Sequence, residues 1–221
     1  MKGVFVTGTD TGVGKTVVAA WLMRALDGDY WKPVQTGLAE GDSDSETVRR
    51  LSGFPGNRFH APTYALQASL SPQAAARHEG VRITIAGFSL PQSSRPVVVE
   101  GAGGVLAPLG EGLVMAELIA HLGLSVVLVA RTALGTINHS LLSLEALRSR
   151  GLEVAGMVFC GPPDTSNRKA VEKFGVVPTL GEVPLLDPLD SGAIATLANN
   201  APPCFSKARH MVAGSTGTAH G

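Results

Sequence analysis

The stretch VFVTGTDTGVGKTVV, from Val4 to Val18, constrains the fold more than any other part of the chain. An apolar run meets a loop carrying Gly8, Gly12 and Gly14, and a second apolar run follows at once. Glycines at these places predict a backbone free to turn so that successive N–H groups converge on phosphate oxygens at the start of a helix. Lys15 is then placed to meet the β- and γ-phosphates, and the Thr16 hydroxyl to ligand Mg²⁺. The common pattern has four residues between its glycines; here Gly8 and Gly14 are separated by five. A bare turn between strand and helix is the plainer reading. With Gly-Lys-Thr in register between a strand and a helix, nucleotide binding is the better one.

The rest of the chain repeats the strand-then-helix alternation of a parallel sheet with crossover helices. Strands are predicted at Val4–Thr7, Tyr30–Val34, Val97–Glu100, Val126–Ala130, Val154–Cys160 and Pro178–Val183. Several are apolar at consecutive positions, as strands covered on both faces are. Helices are predicted at Lys15–Leu26, Asp44–Leu51, Pro72–Glu79, Leu113–Leu122, Asn138–Arg150 and Asn167–Phe174, with Gly123, Gly151 and Gly175 just past three of them as left-handed ends. Ser71-Pro72 reads as an N-cap followed by a first-turn proline. The fold class is therefore α/β: a three-layer, P-loop NTPase-like domain with a central, mostly parallel sheet flanked by helices. One such domain is expected over residues 1–200, with a disordered tail over 201–221, where prolines and small polar residues break the pattern.

Eighteen basic and eighteen acidic residues balance, which argues against a polyanion partner such as nucleic acid or an acidic membrane face, and for a small molecule. Cys160 and Cys204 lack the spacing and histidines of a zinc site or disulfide framework. The opening apolar run is too short for a signal peptide, and no later one approaches a membrane span, so a cytoplasmic protein is expected.

Several polar residues fall at strand ends or helix starts facing the crevice of such a sheet. Lys32 in WKPVQTG follows the second strand, where it could place a second ammonium over the same anionic centre or simply be solvated. In GDSDSETVRRL, Ser43 and Glu46 have capping-box spacing, and Asp44 is explained either by the helix dipole or by magnesium. Glu100 directly follows three valines and precedes a predicted Gly-Ala-Gly-Gly turn, suited to a metal or an amine. The helix after LGTINH offers free N–H groups near Gly135 to Asn138 for a carboxylate, while His139 is as readily a packing residue.

Taken in order, GTDTGVGKT, KPVQTG, VEGAGG, LGTINH and LGEVP resemble the dethiobiotin synthetases of biotin synthesis over residues 1 to about 186. The resemblance implies a C–N bond-forming cyclo-ligase that turns 7,8-diaminononanoate, CO2 and ATP into dethiobiotin, ADP and phosphate. In that family one amine captures CO2 as a carbamate. A carbamate oxygen attacks the γ-phosphate, and the second amine displaces phosphate from the mixed anhydride to close a cyclic urea. By matching positions, Lys32, Lys15 and Thr11 become the catalytic residues, and Thr16, Asp44 and Glu100 the Mg²⁺ ligands. Gly12, Val13, Gly14, Val17, Gly101, Ala102, Gly103, Cys160, Gly161, Val183, Pro184 and Leu185 would join Lys15, Thr16, Asp44 and Glu100 in holding ATP. Thr11, Lys32, Thr36, Gly135, Thr136 and Asn138 would contact the substrate. The family forms homodimers in which the LGTINH helix start meets substrate bound mainly to the partner.

Two departures stand out. Cys160-Gly161 replaces the Asn-Asp that reads the adenine edge in well-studied members, which implies loose base selectivity. Residues Thr84 to Arg95 are shorter and more broken than the usual helix, with Pro91 ending any helix there. Nucleotide-switched partitioning ATPases share a related loop but generally carry an additional lysine early in it, where this chain has Gly8, Thr9, Asp10 and Thr11. Cobyrinate-type synthetases would need a glutaminase domain as well.

Overall fold

The computed structural model describes residues 3–201; the expected tail falls outside them from residue 202 onward. The chain runs β1 (Gly3–Gly8), α1 (Lys15–Leu26), β2 (Asp29–Trp31), β3 (Val34–Gln35), α2 (Asp44–Ser52), β4 (Phe59–His60), β5 (Tyr64–Ala65), α3 (Pro72–His78), β6 (Val97–Gly104), β7 (Pro108–Gly110), β8 (Leu113–Val114), α4 (Met115–Leu122), β9 (Ser125–Arg131), α5 (Thr136–Arg148), β10 (Val154–Cys160), α6 (Thr165–Gly175), β11 (Thr179–Val183) and α7 (Ser191–Asn199). Seven strands form one sheet in the order β11-β10-β9-β1-β6-β2-β4. Every pairing in it is parallel.

Alternation along the buried strands divides two cores. Val4, Val6, Val98, Val127, Val129 and Val158 pack with α1, α2 and α7 on one face. Phe5, Val97, Val99, Leu128, Met157 and Phe159 pack with α3, α4, α5 and α6 on the other. These strands read as continuous apolar runs because each face buries its own half. The expected three layers are thus present.

Local corrections follow from tertiary demands. The single strand expected at Tyr30–Val34 divides at Lys32-Pro33: β2 stays in the main sheet and β3 leaves to pair with β5. Proline has no N–H to continue a ladder. The predicted Gly-Ala-Gly-Gly turn remains part of β6, paired through Gly8 and Gly104 across a shift of register. The shift interrupts the regular ladder where β6 reaches the end of the sheet. Leu113 begins the second strand of the β7–β8 hairpin, with α4 starting only at Met115, and α5 begins at Thr136, two residues early. Gly123 caps α4 in the left-handed conformation at φ 61. Gly151 lies beyond Ser149, which caps α5. Gly175 is the last residue of α6, and the left-handed cap is Val176 at φ 44. A Cβ on Gly175 would lie 2.7 Å from Leu144, so close approach of α5 and α6 selects glycine there. Ser71 and Pro72 do start α3, without a side-chain capping bond. Four pieces fall outside the predicted elements: β4, β5, β7 and α7.

Candidate active site

The loop between β1 and α1 is shaped as its glycines predict in part. Gly12 and Gly14 have φ of 70 and 102, conformations that L side chains rarely adopt. A Cβ on Gly14 would lie 2.7 Å from the Cys160 sulfur, so this glycine also permits the loop to close against β10. Gly8 differs: it sits in β1, and space, not backbone freedom, requires it, since a Cβ would meet Val13 and the Asp10 carbonyl. Lys15 is buried, and its Nζ donates to the Asp10 carbonyl at 2.9 Å. Burial pulls its pKa down, only partly offset by Glu100.

Beyond Lys15, residues from α1, α2, β6 and the link between β2 and β3 meet at the carboxyl edge of the sheet. The Thr16 hydroxyl lies 3.1 Å from Asp44 Oδ1 and 3.0 Å from Glu100 Oε1. Lys32 Nζ lies 2.8 Å from Asp44 Oδ2 and 3.2 Å from Glu100 Oε1, with the Gly101 carbonyl at 3.4 Å. Lys32 is 4% exposed and Glu100 1%. Burial alone would lower the lysine pKa, yet Glu100 and Asp44 outweigh it and hold the ammonium above the usual value of 10.5. Burial likewise pushes Asp44 upward, but Lys32 overcomes it and keeps this carboxyl below 3.8. The lysine is therefore a fixed positive charge.

Each member is positioned by its own local structure. Ser43 and Glu46 form the full capping box, which fixes the start of α2 and so the place of Asp44. Two residues absent from the sequence reading complete the arrangement. Tyr30 OH donates to Glu100 Oε2 at 2.9 Å from full burial, and Gln35 Oε1 accepts from the Asp44 amide at 3.1 Å. Both stand near Lys32 in sequence, but an apolar strand gives no sign that its tyrosine serves a carboxylate 70 residues away.

The donor set suits a hard cation. A hydroxyl has one proton and can donate to only one carboxylate at a time, so Thr16 Oγ1, Asp44 Oδ1 and Glu100 Oε1 present three converging oxygens with fewer protons than contacts. Magnesium binds such oxygen ligands beside phosphates.

A cavity of about 270 Å³ adjoins the loop, lined by Gly12, Val13, Gly14, Val17, Cys160, Gly161, Val183, Pro184 and Leu185. All nine are among the residues that the family's pattern assigns to ATP. Arg131, Leu186 and Leu189 line it as well and are not. Burial pushes the Cys160 thiol up to about 12. Thr11 is exposed on the loop with its amide held by Asp10 Oδ1 at 2.7 Å, and Thr36 is half-buried after β3. Ala102 and Gly103 continue β6 beyond Glu100. Gly135, Thr136 and Asn138 open α5 and belong to neither group of side chains in the described chain; Gly135 and Asn138 are exposed, as is His139. A second cavity, about 610 Å³ between α3, residues 81–85 and the β7–β8 hairpin, contains none of the candidate residues.

Residues 2–193 match the family described as AAA domain. The chain is 48% identical over 206 residues to an ATP-dependent dethiobiotin synthetase BioD of Paramagnetospirillum magneticum, covering 93% of this chain and 98% of that one. It is 50% identical to the protein of the same name from Rhizorhabdus wittichii, covering 88% and 92%. It is 56% identical over 193 residues to the biotin biosynthesis bifunctional protein BioCD of Bordetella avium, covering 87% of this chain but spanning only 42% of that protein's length. Among solved structures, a nucleotide-binding protein in complex with ADP from Archaeoglobus fulgidus shares the fold, with a TM-score of 0.51 at 12% identity over 92% of this chain and 91% of the other. From ordered motifs, sheet topology and sequence identity together, this chain belongs to the ATP-dependent dethiobiotin synthetase family.

Proposed function

We propose that this chain closes the cyclic urea of dethiobiotin from 7,8-diaminononanoate, CO2 and ATP, releasing ADP and phosphate, within a single domain of residues 1–200. The observation that carries the reading is the buried Lys32 ammonium between Asp44 and Glu100, against the Thr16 end of the phosphate loop. The reaction joins two anions, a carbamate and a triphosphate, and so needs positive charge fixed where they meet. Lys32 is held protonated by its carboxylate neighbours, which suits electrostatic stabilisation and not proton abstraction. Lys15, now resting on the Asp10 carbonyl, is placed to exchange that contact for phosphate oxygens. Thr11 and Thr36 would orient the diamine, so that carbamate oxygen and γ-phosphorus line up before phosphate transfer. The second amine then attacks the carbamoyl carbon and phosphate leaves.

Thr16, Asp44 and Glu100 would hold Mg²⁺, which supplies charge neutralisation at the phosphate oxygens. The cavity against Cys160 and Val183 would take the base. Gly135, Thr136 and Asn138 would receive the substrate carboxylate of a partner subunit. Leu134 is fully exposed just before that helix and Leu142 is 56% exposed near its middle, apolar surface that a second copy would cover. The reading includes a homodimer with shared sites, acting in the cytoplasm; no described helix is long and apolar enough to cross a membrane.

The test mixes purified protein with ATP, Mg²⁺, bicarbonate and the diamine and seeks the cyclic urea by mass spectrometry. Product from wild type, and product formation slower by about 10²–10³ in Lys32→Ala, is expected. Unchanged turnover by that variant would reject the assigned role of Lys32, and no product from wild type would reject the activity. Light scattering reports the dimer, with Leu134→Asp expected to yield monomers.

A further inference from the structure

The wall of the base cavity is nearly bare of hydrogen-bonding side chains. Val13, Val17, Val183, Leu185 and Leu189 offer only hydrocarbon. The Cys160 thiol stays protonated, and S–H is a weak donor and weak acceptor. Arg131 is the exception. It ends β9 directly alongside Cys160 in the sheet register. Its Nη2 lies 3.2 Å from Asp10 Oδ2, while Oδ1 of the same carboxylate accepts the Thr11 amide at 2.7 Å. The guanidinium is thus anchored to the phosphate loop by one nitrogen, leaving most of its five N–H donors for other partners.

We propose that Arg131 is a specificity-determining residue of the nucleotide site, one that recognises bases presenting two adjacent acceptors. The inference rests on the reading of this cavity as the base pocket. An arginine fork donates and never accepts. Guanine presents O6 and N7 side by side, the pair that arginine binds with two parallel bonds, and cytosine presents O2 and N3 in the same way. Adenine pairs each accessible ring nitrogen with, or separates it from, the N6 amino donor, which meets the fork donor to donor. ATP is then held by its triphosphate and by apolar contact with the base, whereas guanine and cytosine nucleotides gain the Arg131 contact in addition. The Asp10 tether keeps the fork in place before nucleotide arrives. The ion pair is about half exposed on both sides, so it contributes little to stability and its loss is read cleanly in binding.

Titration calorimetry with the Mg²⁺ complexes of ADP, GDP, IDP, CDP and UDP tests this on the full chain. IDP keeps the O6/N7 pair of guanine, and UDP lacks adjacent acceptors. Wild type is expected to bind GDP, IDP and CDP within tenfold of ADP. Arg131→Ala should weaken those three about tenfold or more, the worth of one two-bond contact, while changing ADP and UDP less than threefold. Arg131→Lys, which keeps the charge without the fork, should behave like the alanine variant. Equal weakening of all five nucleotides would overturn the proposal, since it would place the guanidinium's effect on phosphates or on the loop. Full rescue by lysine would overturn it too. If wild type binds no Mg·ADP, the nucleotide-site reading itself falls, and this inference with it.

Discussion

Replacing Lys32 with methionine removes the charge while keeping most of the volume, so the consequences are electrostatic. In the native protein the ammonium lies within 3.2 Å of both Asp44 and Glu100 and is 4% exposed. Removing one partner of a buried ion pair costs about 3–5 kcal/mol, because the other charge is left uncompensated. Glu100 bears that burden fully, being 1% exposed. The Asp44 side chain is 34% exposed and recovers part of its hydration, which places the expected loss near the lower figure, about 3 kcal/mol. For a chain of this size the melting temperature should fall by about 6–12 °C at roughly 2–4 °C per kcal/mol. Calorimetry at pH 7 without divalent cations reads this. Mg²⁺ should then raise the variant's Tm more than the wild type's, because a cation between Thr16, Asp44 and Glu100 replaces the missing charge. Turnover should fall by about 10²–10³, the usual cost of removing one preorganised stabilising group. A variant that melts with wild type and turns over within threefold of it would refute the claim that Lys32 neutralises these carboxylates or the reacting anions.

Three further outcomes can be checked by denaturation and kinetics. Burial pushes Asp29 upward, but hydrogen bonds from Ser93 and Arg58 outweigh it and hold the carboxyl below 3.8. A depressed native pKa means stabilisation present above 3.8 and lost as pH falls through the native value, so Asp29→Asn should flatten the fall in urea midpoint below about pH 4. An unaltered slope would contradict it. Ser43→Ala removes half of the capping box that starts α2 and should cost about 1 kcal/mol, with a higher Mg²⁺ requirement in turnover assays because Asp44 is the next residue. Val176 caps α6 in a left-handed conformation at φ 44 while 79% exposed; Val176→Gly relieves a penalty of about 1–2 kcal/mol and should raise the denaturation midpoint.

Much of the site was legible because its determinants are local. Glycines at positive φ, a lysine and threonine at a helix start, and a capping box four residues long all act through neighbours in sequence. The family's pattern names Cys160 and Val183, which line the cavity beside the loop, whereas the Arg131 that shares it gives no local sign, since its partner Asp10 lies 121 residues away. Tyr30 escaped for the same reason. The edge strand β4 and the two-residue β3 and β5 are too short to carry a period. Gly175 misled because a glycine after a helical run has two explanations, backbone freedom and close packing, and only the position of Leu144 chooses between them.

By itself the sequence determined the alternation of strand and helix, the phosphate loop and which polar residues stand at strand ends. Only the tertiary structure decided that Lys32 is a buried group paired with two carboxylates and not a solvated strand-end lysine, that Glu100 is sealed against Tyr30, and that the Gly-Ala-Gly-Gly segment stays in the sheet. The physical reason is the range of the forces. Backbone preference and capping act over a few residues, whereas charge pairing and burial depend on which distant segments the parallel sheet sets side by side.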